Sequence, residues 1–372
     1  MIDFGPAQSV GTDVGEARKQ VPGNGPTVVP SSARPLEVFA RPCFPDSMRC
    51  GEAASVERGK QGPRGPKPAP PEAAQNNTVT RVQLRPVLVE AIETLRTAGV
   101  ASPRADAEHL AAHVLGVERG RLLLAPLIAP EQLDTYRALV ARRAERVPLQ
   151  HLTGQSSMGE IDLEVGPGVF VPRPETELLF AWALARLEAV RHDHTPIVVD
   201  LCTGSGALAL AIAHARPDAE VHAVELDPDA LRWARRNADL HSVAGDTPII
   251  LHHADVTDPG LLTELNGRVD IVVANPPYIP EGAQLSPEVA EHDPHRALFG
   301  GTDGLDVIRP MVPVIGRLLR PGGGVAIEHD DSNGGELARL LSAAGRFAEI
   351  AEHPDLAGKP RFVAARSSVT ST

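Results

Sequence analysis

Cysteine is scarce in this chain, with three in 372 residues, and their scatter supplies neither a disulfide framework nor a ladder of zinc ligands. Positive charge is short as well. Lys and Arg number 36 against 48 Asp and Glu, a net of −12, which argues against a protein that coats nucleic acid, because that affinity comes from neutralising phosphates with Lys and Arg. No apolar run approaches the roughly 18–20 residues that cross a bilayer, and the N-terminal stretch lacks the apolar centre of a signal peptide. These absences leave a cytoplasmic protein without membrane contact as the expectation. What is present is 42% hydrophobic residues and length for roughly two or three domains, enough to bury about 75% of the unfolded surface at ~300 residues.

Composition divides the chain near residue 78. Residues 1–78 hold 12 Pro and 9 Gly, a level at which aperiodic Pro and Gly read as a disordered leader. The run Arg64-Gly65-Pro66-Lys67-Pro68-Ala69-Pro70-Pro71 can only be extended or irregular. The stretch could also serve as a docking arm or be upstream sequence outside the natural product, and Val79 is placed to be an alternative start. The leader carries 9 basic and 8 acidic residues, so the remaining 294 carry 27 and 40, a net of −13.

Residues 79–147 predict a helical domain. Leu84, Leu88, Ala91, Ile92 and Leu95 recur at helical spacing before Ala98-Gly99. Ser102 and Pro103 read as an N-cap and first-turn proline for a second helix ended by Gly116, and Leu133, Tyr136, Val140 and Ala144 mark a third. With no clustered Cys or His and no basic face, the domain is expected to target or grip a substrate. Residues 148–174 change period: Ile161, Leu163 and Val165, then Val169 and Val171, flank Gly166-Pro167-Gly168 as a β-hairpin linker. Over 175–372, strands expected at 196–201, 220–225, 248–252, 269–274, 323–328 and 361–366 alternate with helices. That pattern predicts an α/β domain with a doubly wound, mostly parallel sheet.

Two loops carry chemistry. The apolar strand through Asp200 runs into Cys202-Thr203-Gly204-Ser205-Gly206 and then an apolar helix, a glycine-rich turn that lets backbone approach a nucleotide-like cofactor. Glu225 closes the next strand, where a carboxylate can accept from two ribose hydroxyls, and Asp255 follows the third, where it could accept from an adenine amine. The second loop is Asn275-Pro276-Pro277-Tyr278, after the fourth strand. Its prolines remove two N–H donors and leave directed carbonyls, Asn275 adds an acceptor and Tyr278 a flat ring. Together they form a clamp for a planar group bearing –NH₂, with Asn275 and the Pro276 carbonyl accepting its two hydrogens.

From about residue 80 to 366, the chain resembles the bacterial glutamine-N5 methyltransferases that modify peptide chain release factors. Besides Asn-Pro-Pro-Tyr, the likeness rests on Pro148-Leu149-Gln150-His151-Leu152-Thr153-Gly154 and Val171-Pro172-Arg173-Pro174-Glu175-Thr176-Glu177. It extends to Asp293-Pro294-His295-Arg296-Ala297-Leu298-Phe299-Gly300-Gly301, Gly304-Leu305 and Leu319-Arg320-Pro321-Gly322-Gly323. The resemblance implies a class I methyltransferase fold, S-adenosylmethionine as cofactor, and the Gln of the Gly-Gly-Gln loop of class-1 release factors as substrate. It implies catalytic Asn275, Pro276 and Tyr278, with Pro277 joining them against substrate. Asp200, Cys202, Thr203, Gly204, Ser205, Gly206, Glu225, Asp255, Val256 and Asn275 would hold the cofactor, and Arg173 and Glu175 would brace the linker. A monomer without a metal or direct nucleic-acid contact is expected.

Two positions depart from the family pattern: Cys202 stands where Gly is common, and Met158 where an aromatic is expected. Both are small or adaptable enough to be tolerated. Among the histidines, His192-Asp193-His194 reads as polar linker, His252-His253 as one core and one exposed residue, and His329 as a candidate for lining the cofactor cleft. A DNA adenine methyltransferase shares the amine chemistry, but the part after residue 78 has one lysine, Lys359. Methylation of a ribosomal-protein glutamine would use the same clamp on a different protein, and a silent cofactor binder would not use it at all.

Overall fold

The structure, a computed structural model, describes residues 81–190 and 194–368. The Pro/Gly-rich leader with Val79, and His192-Asp193, lie outside the described residues.

The helical part opens with β1 (Val82–Gln83), α1 (Leu84–Thr97) and α2 (Pro103–Leu115), then β2 (Leu127–Ile128), α3 (Pro130–Ala144) and α4 (Leu149–Thr153). One stripe of α1, Leu84, Val87, Ala91 and Leu95, is buried, as apolar residues three and four apart require. Pro103 starts α2 and Gly116 ends it in the left-handed region at φ 64°. Ser102 stands at the N-cap, but its side chain makes no cap hydrogen bond. Its φ of −126° and ψ of 63° lie off the usual capping geometry, and its contribution is a carbonyl that accepts from Asp106 N at 3.0 Å. Tyr136 on α3 is buried and its hydroxyl donates to the Ala107 carbonyl at 3.2 Å, pinning α3 to α2. This core reaches Leu152 on α4.

Near the end of α3, Arg143 makes a buried pair with Asp106 at 2.8 Å and reaches Glu288 at 3.0 Å. Arg146 Nε donates to the same Glu288 at 2.7 Å. Burial opposes the ionised Glu288 carboxyl, but the hydrogen bonds from Arg146 and Arg143 outweigh it and hold the group at about 2.

The hairpin is β3 (Gln155–Met158) and β4 (Ile161–Glu164), paired Met158 to Ile161. Its turn is therefore at Gly159-Glu160, where Gly159 has φ 58°, and not at Gly166-Pro167-Gly168 as the alternation of valines suggested. A glycine with positive φ is what a two-residue hairpin loop asks for. The second glycine cluster is needed for close packing instead: a Cβ on Gly166 would lie 2.7 Å from the Trp233 ring. Met158 is fully buried among the aliphatic residues of the main core.

The remaining elements are α5 (Glu177–Glu188), β5 (Ile197–Leu201), α6 (Ala207–Ala215), β6 (Glu220–Glu225), α7 (Pro228–Ala244), β7 (Ile250–His253) and β8 (Val269–Ala274). They continue with α8 (Pro287–His292), α9 (His295–Leu298), α10 (Ile308–Leu318), β9 (Leu319–Glu328), α11 (Gly334–Ala343), β10 (Phe347–Pro354) and β11 (Pro360–Ser367). The sheet order is β10-β11-β9-β8-β5-β6-β7. Pairings from β9 to β7 are parallel, and β11 runs antiparallel to β9 and β10. Apolar clusters on both faces, one around Trp182 and the α6 alanines and the other around Met311 and Leu337, make the sheet doubly wound. Strand order reverses at β5, so the crevice outside the carboxyl ends of β5, β6 and β8 is the expected ligand site.

β9 begins four residues earlier than the apolar run at 323–328, because Leu319 already pairs with Val269 before an irregular stretch of register. β10 was not expected from sequence. It is an edge strand with mostly solvent-facing residues, broken by a register shift between Ala348 and Ala351, so no period-two pattern survives in it.

Arg143→Ala should destabilise the fold by about 3 kcal/mol, because Asp106 would remain buried without its partner. Adding Asp106→Asn should recover part of that loss. Urea unfolding of the three proteins is the check, and an unchanged midpoint for Arg143→Ala would refute the reading.

Candidate active site

The carboxyl end of β5 delivers Asp200 and then the turn 202–206. Cys202, Gly204 and Gly206 have φ of 63°, 59° and 86°. Glycine adopts such angles freely, whereas the left-handed region costs an L-residue such as cysteine about 1–2 kcal/mol. The turn is nonetheless held: Thr203 N donates to the Val224 carbonyl at 3.0 Å and Gly206 N to the Thr203 carbonyl at 2.9 Å. The Thr203 hydroxyl donates to Asp200 Oδ2 at 2.5 Å. Asp200 Oδ1 is buried with no hydrogen-bond partner among the described residues. Burial pushes the Asp200 carboxyl up to about 7, against the hydrogen bond from Thr203.

Glu225 ends β6. Its two oxygens each accept a backbone N–H, from Gly204 and from Asp227, both at 2.8 Å. Burial raises its pKa against those bonds. Asp255 Oδ1 accepts from Thr257 N at 2.8 Å and from the Thr257 hydroxyl at 2.7 Å, while Val256 beside it is buried. Burial, then the surrounding Glu225, Asp200 and Asp255, push the Cys202 thiol well up, so it is no thiolate nucleophile.

These residues line a cavity of about 380 Å³, within the size range of small-molecule sites. Asp200, Cys202, Thr203, Gly204, Ser205, Glu225, Asp255, Val256, Asn275, Pro277 and Tyr278 are on its wall, with Leu226, Phe170 and Phe299 adding apolar surface. Gly206 is not. A Cβ there would lie 3.2 Å from Leu210 and 3.6 Å from Ala234, so its place is in packing at the start of α6. Pro276 is buried and off the wall, though its neighbours on both sides are on it. His329 is fully buried beside Gly334 and Glu352, and does not line the cleft. The orphaned Asp200 oxygen, three carboxyl groups and a backbone turn without side-chain bulk fit S-adenosylmethionine, which carries an ammonium, ribose hydroxyls and an adenine amine.

The second half of the site hangs from β8. Asn275 Nδ2 donates to Thr176 Oγ1 at 3.1 Å, and Thr176 Oγ1 donates to Glu328 Oε2 at 2.9 Å. The Tyr278 hydroxyl donates to Glu328 Oε1 at 2.8 Å. Burial pushes Glu328 up to about 7, with the bonds from Tyr278 and Thr176 and the charge of Arg361 opposing it. Burial and Glu328 together raise the Tyr278 phenol well above its ordinary value. The loop backbone is gripped from behind: Asn333 Nδ2 donates to the Tyr278 carbonyl at 3.1 Å, and Ile279 N to the Leu298 carbonyl at 2.8 Å. A Cβ on Gly304 would lie 2.1 Å from the Tyr278 carbonyl oxygen, which is the physical reason for glycine at that position.

Arg173 pairs with the buried carboxylate of Asp293 and lies 4.9 Å over the Phe170 ring, so it does tie the linker to the wall of the cleft. Glu175 makes no such bond among the described residues. Thr176 and Glu328 were not singled out as site residues from sequence. The signals available were Thr176 inside the Pro-Arg-Pro-Glu-Thr-Glu run and an acidic residue closing an apolar strand. The histidines are structural: His194 bonds Asp270 at 2.9 Å, and half-buried His252 bonds buried His222 at 2.9 Å, while His253 is exposed. No group of metal-ligating side chains occurs among the described residues.

Residues 87–154 match the family model described as the PrmC N-terminal domain, and residues 181–292 that of the methyltransferase small domain. The chain is 54% identical over 283 residues to the release factor glutamine methyltransferase of Mycolicibacterium smegmatis, covering 76% of this chain and 97% of that protein. It is 51% identical over 286 residues to the enzyme of the same name from Mycobacterium tuberculosis, covering 76% and 91% of the two chains. With that of Deinococcus radiodurans it shares 44% identity over 289 residues, or 77% and 99%.

Asp200 and Glu328, each raised to about 7, bind protons more tightly folded than unfolded. The stability they contribute is complete below the unfolded carboxyl range and is lost as pH rises through about 7. Asp200→Asn should therefore stabilise the cofactor-free protein at pH 8 more than at pH 5, by a difference on the order of 2 kcal/mol, seen as a larger rise in melting temperature at pH 8. Melting curves at the two pH values test this, and an equal or reversed difference would contradict it.

Proposed function

The chain belongs to the release factor glutamine methyltransferase family, and from that membership and the cleft we infer how its residues work. It transfers a methyl group from S-adenosylmethionine to the side-chain amide nitrogen of the Gln in the Gly-Gly-Gln loop of class-1 peptide chain release factors. The observation that carries the site assignment is the position of Asn275. It lines the same cavity as Asp200 and Glu225, and its Oδ1 and the Pro276 carbonyl accept no hydrogen bond among the described residues.

When bound, S-adenosylmethionine would supply an already activated sulfonium methyl and leave as S-adenosylhomocysteine. Asp200 Oδ1 would hold the ammonium end, Glu225 the ribose hydroxyls, and Asp255 the adenine amine beside Val256. The turn 202–206 gives the backbone approach. On the substrate side, the amide nitrogen is a poor nucleophile because its lone pair is delocalised into the carbonyl. Asn275 Oδ1 and the Pro276 carbonyl accept its two hydrogens, which fixes the nitrogen and favours its rehybridisation as the methyl arrives. Tyr278 and Pro277 hold the amide plane. Positioning of this kind reaches effective molarities of roughly 10⁵–10⁸ M. The proton released after transfer goes to a backbone acceptor or water.

The helical module is the part we assign to gripping the release factor away from its Gln loop. Its ion pairs to Glu288, on the segment leading into the cleft wall, support that division of labour. A net of −13 after residue 78 supports a protein rather than a nucleic acid as the polymer bound. Translation termination also puts the work in the cytoplasm. No helix among the described residues is long and apolar enough to cross a membrane.

The test is transfer of labelled methyl from S-adenosylmethionine to purified release factor, with a Gly-Gly-Asn loop variant and duplex DNA in parallel. Label is expected on the wild-type factor alone, and label on DNA would overturn the substrate. Asn275→Ala should lose at least about 100-fold in turnover with a smaller change in cofactor affinity; equal turnover would remove the clamp. Glu225→Ala should instead weaken cofactor binding, and unchanged affinity by calorimetry would rule out its ribose role.

A further inference from the structure

We propose that Thr176 and Glu328 are positioning residues that fix which end of the Asn275 amide meets the substrate. This rests on the glutamine-methylation reading above and goes beyond it: Glu328 lies off the cavity wall and Thr176 on it, and the role assigned to both is exerted through Asn275.

Donors and acceptors along the chain of bonds leave one arrangement. Above about pH 7 Glu328 is ionised, and an ionised carboxylate can only accept. Glu328 therefore receives the Tyr278 hydroxyl proton at 2.8 Å on Oε1 and the Thr176 hydroxyl proton at 2.9 Å on Oε2. Thr176 has a single proton, and it is spent on Glu328. Toward Asn275, 3.1 Å away, its oxygen can only accept, so the atom facing it must be Nδ2. The oxygen end of the amide, Oδ1, is then the end left without a partner, on a residue that lines the cleft. The two ends of an asparagine amide have almost the same shape, and only hydrogen bonding distinguishes them. In this cleft the distinction is between a site that accepts the hydrogens of an incoming –NH₂ and one that opposes it with hydrogens of its own.

Glu328 and Thr176 are 1% and 4% exposed, so the polarity of the relay is set from its buried end, at Glu328. Glu328→Gln shows what is at stake. A glutamine amide can donate to Thr176 and release the threonine proton toward Asn275. The Asn275 amide can then turn over and present donors to the substrate nitrogen. Thr176→Val deletes both functions of the hydroxyl at constant shape, whereas Thr176→Ser keeps both.

The experiment measures steady-state methyl transfer to the full-length release factor at pH 8 for wild type, Thr176→Ser, Thr176→Val and Glu328→Gln. Calorimetric affinity for S-adenosylmethionine and melting temperature accompany it. Thr176→Val and Glu328→Gln are expected to lose about 10- to 100-fold in kcat, with cofactor affinity within about 3-fold of wild type, a shift that marks misplacement rather than lost binding. Thr176→Ser should restore most of the rate. Glu328→Gln should melt no lower than wild type at pH 8, since it removes a buried ionised carboxyl, so that rate and stability part company. Rates within about 3-fold of wild type for both Thr176→Val and Glu328→Gln would overturn the proposal. So would equal losses in Thr176→Ser and Thr176→Val, or a fall in Glu328→Gln rate matched by a fall in its melting temperature. Failure of the wild type to label the factor would instead strike the functional reading itself.

Discussion

A carboxylate removed from water must be given donors, and Glu328 at the end of β9 is given them by both sides of the cleft. Thr176 comes from the linker that precedes α5, and Tyr278 from the loop after β8. Arg361 on β11 adds its charge from behind. Three segments far apart in sequence are thereby held at one point, with Thr176 on the wall of the same cavity as Asn275 and Tyr278. Apolar contacts alone could bring the same segments together, but they have no direction. The hydrogen bonds to Glu328 also set rotation, and rotation matters for an amide clamp.

The cofactor half of the cleft shows the same preference for orientation over stability. Asp200, Glu225 and Glu328 are all carboxyls whose burial raises their proton affinity. Hydrophobic residues of similar size would stabilise the unliganded fold better, a common conflict at functional sites. Cys202 adds backbone strain to the same corner, with its φ of 63°. The strain is tolerated because Thr203 and Gly206 lock the turn by backbone hydrogen bonds on either side.

Much of this was legible in the sequence because it is local. Helical stripes such as Leu84 to Leu95, the buried strands 197–201 and 269–274, and the two functional loops each show their character within a few residues. Two kinds of feature were not legible. β10 carries no alternation, because an edge strand with a register shift has no continuous buried face. The hairpin turn was placed at the more conspicuous glycine cluster, since nothing local reveals that Gly166 lies under Trp233, 67 residues later in the chain. The Thr176–Glu328 bond is harder still, because it spans 152 residues. Its members look ordinary until the sheet brings them together. His329, next to Glu328 on the chain, was the more obvious candidate by chemistry, yet it is fully buried beside Glu352 and Gly334 and off the cavity wall.

The ion cluster at Glu288 has a geometrical consequence. Arg143 and Arg146 join the end of α3 to α8 through bonds that are partly or wholly buried, and salt screens such pairs weakly. The helical module is thus fastened to the rim of the cleft by charge-assisted bonds with defined directions. On the substrate grip proposed above, a module fastened in that way would work as a ruler: the distance from the gripped surface to Asn275 would be set by the enzyme, and a side chain carried on a loop too short to cover it would be excluded without any contact made to reject it.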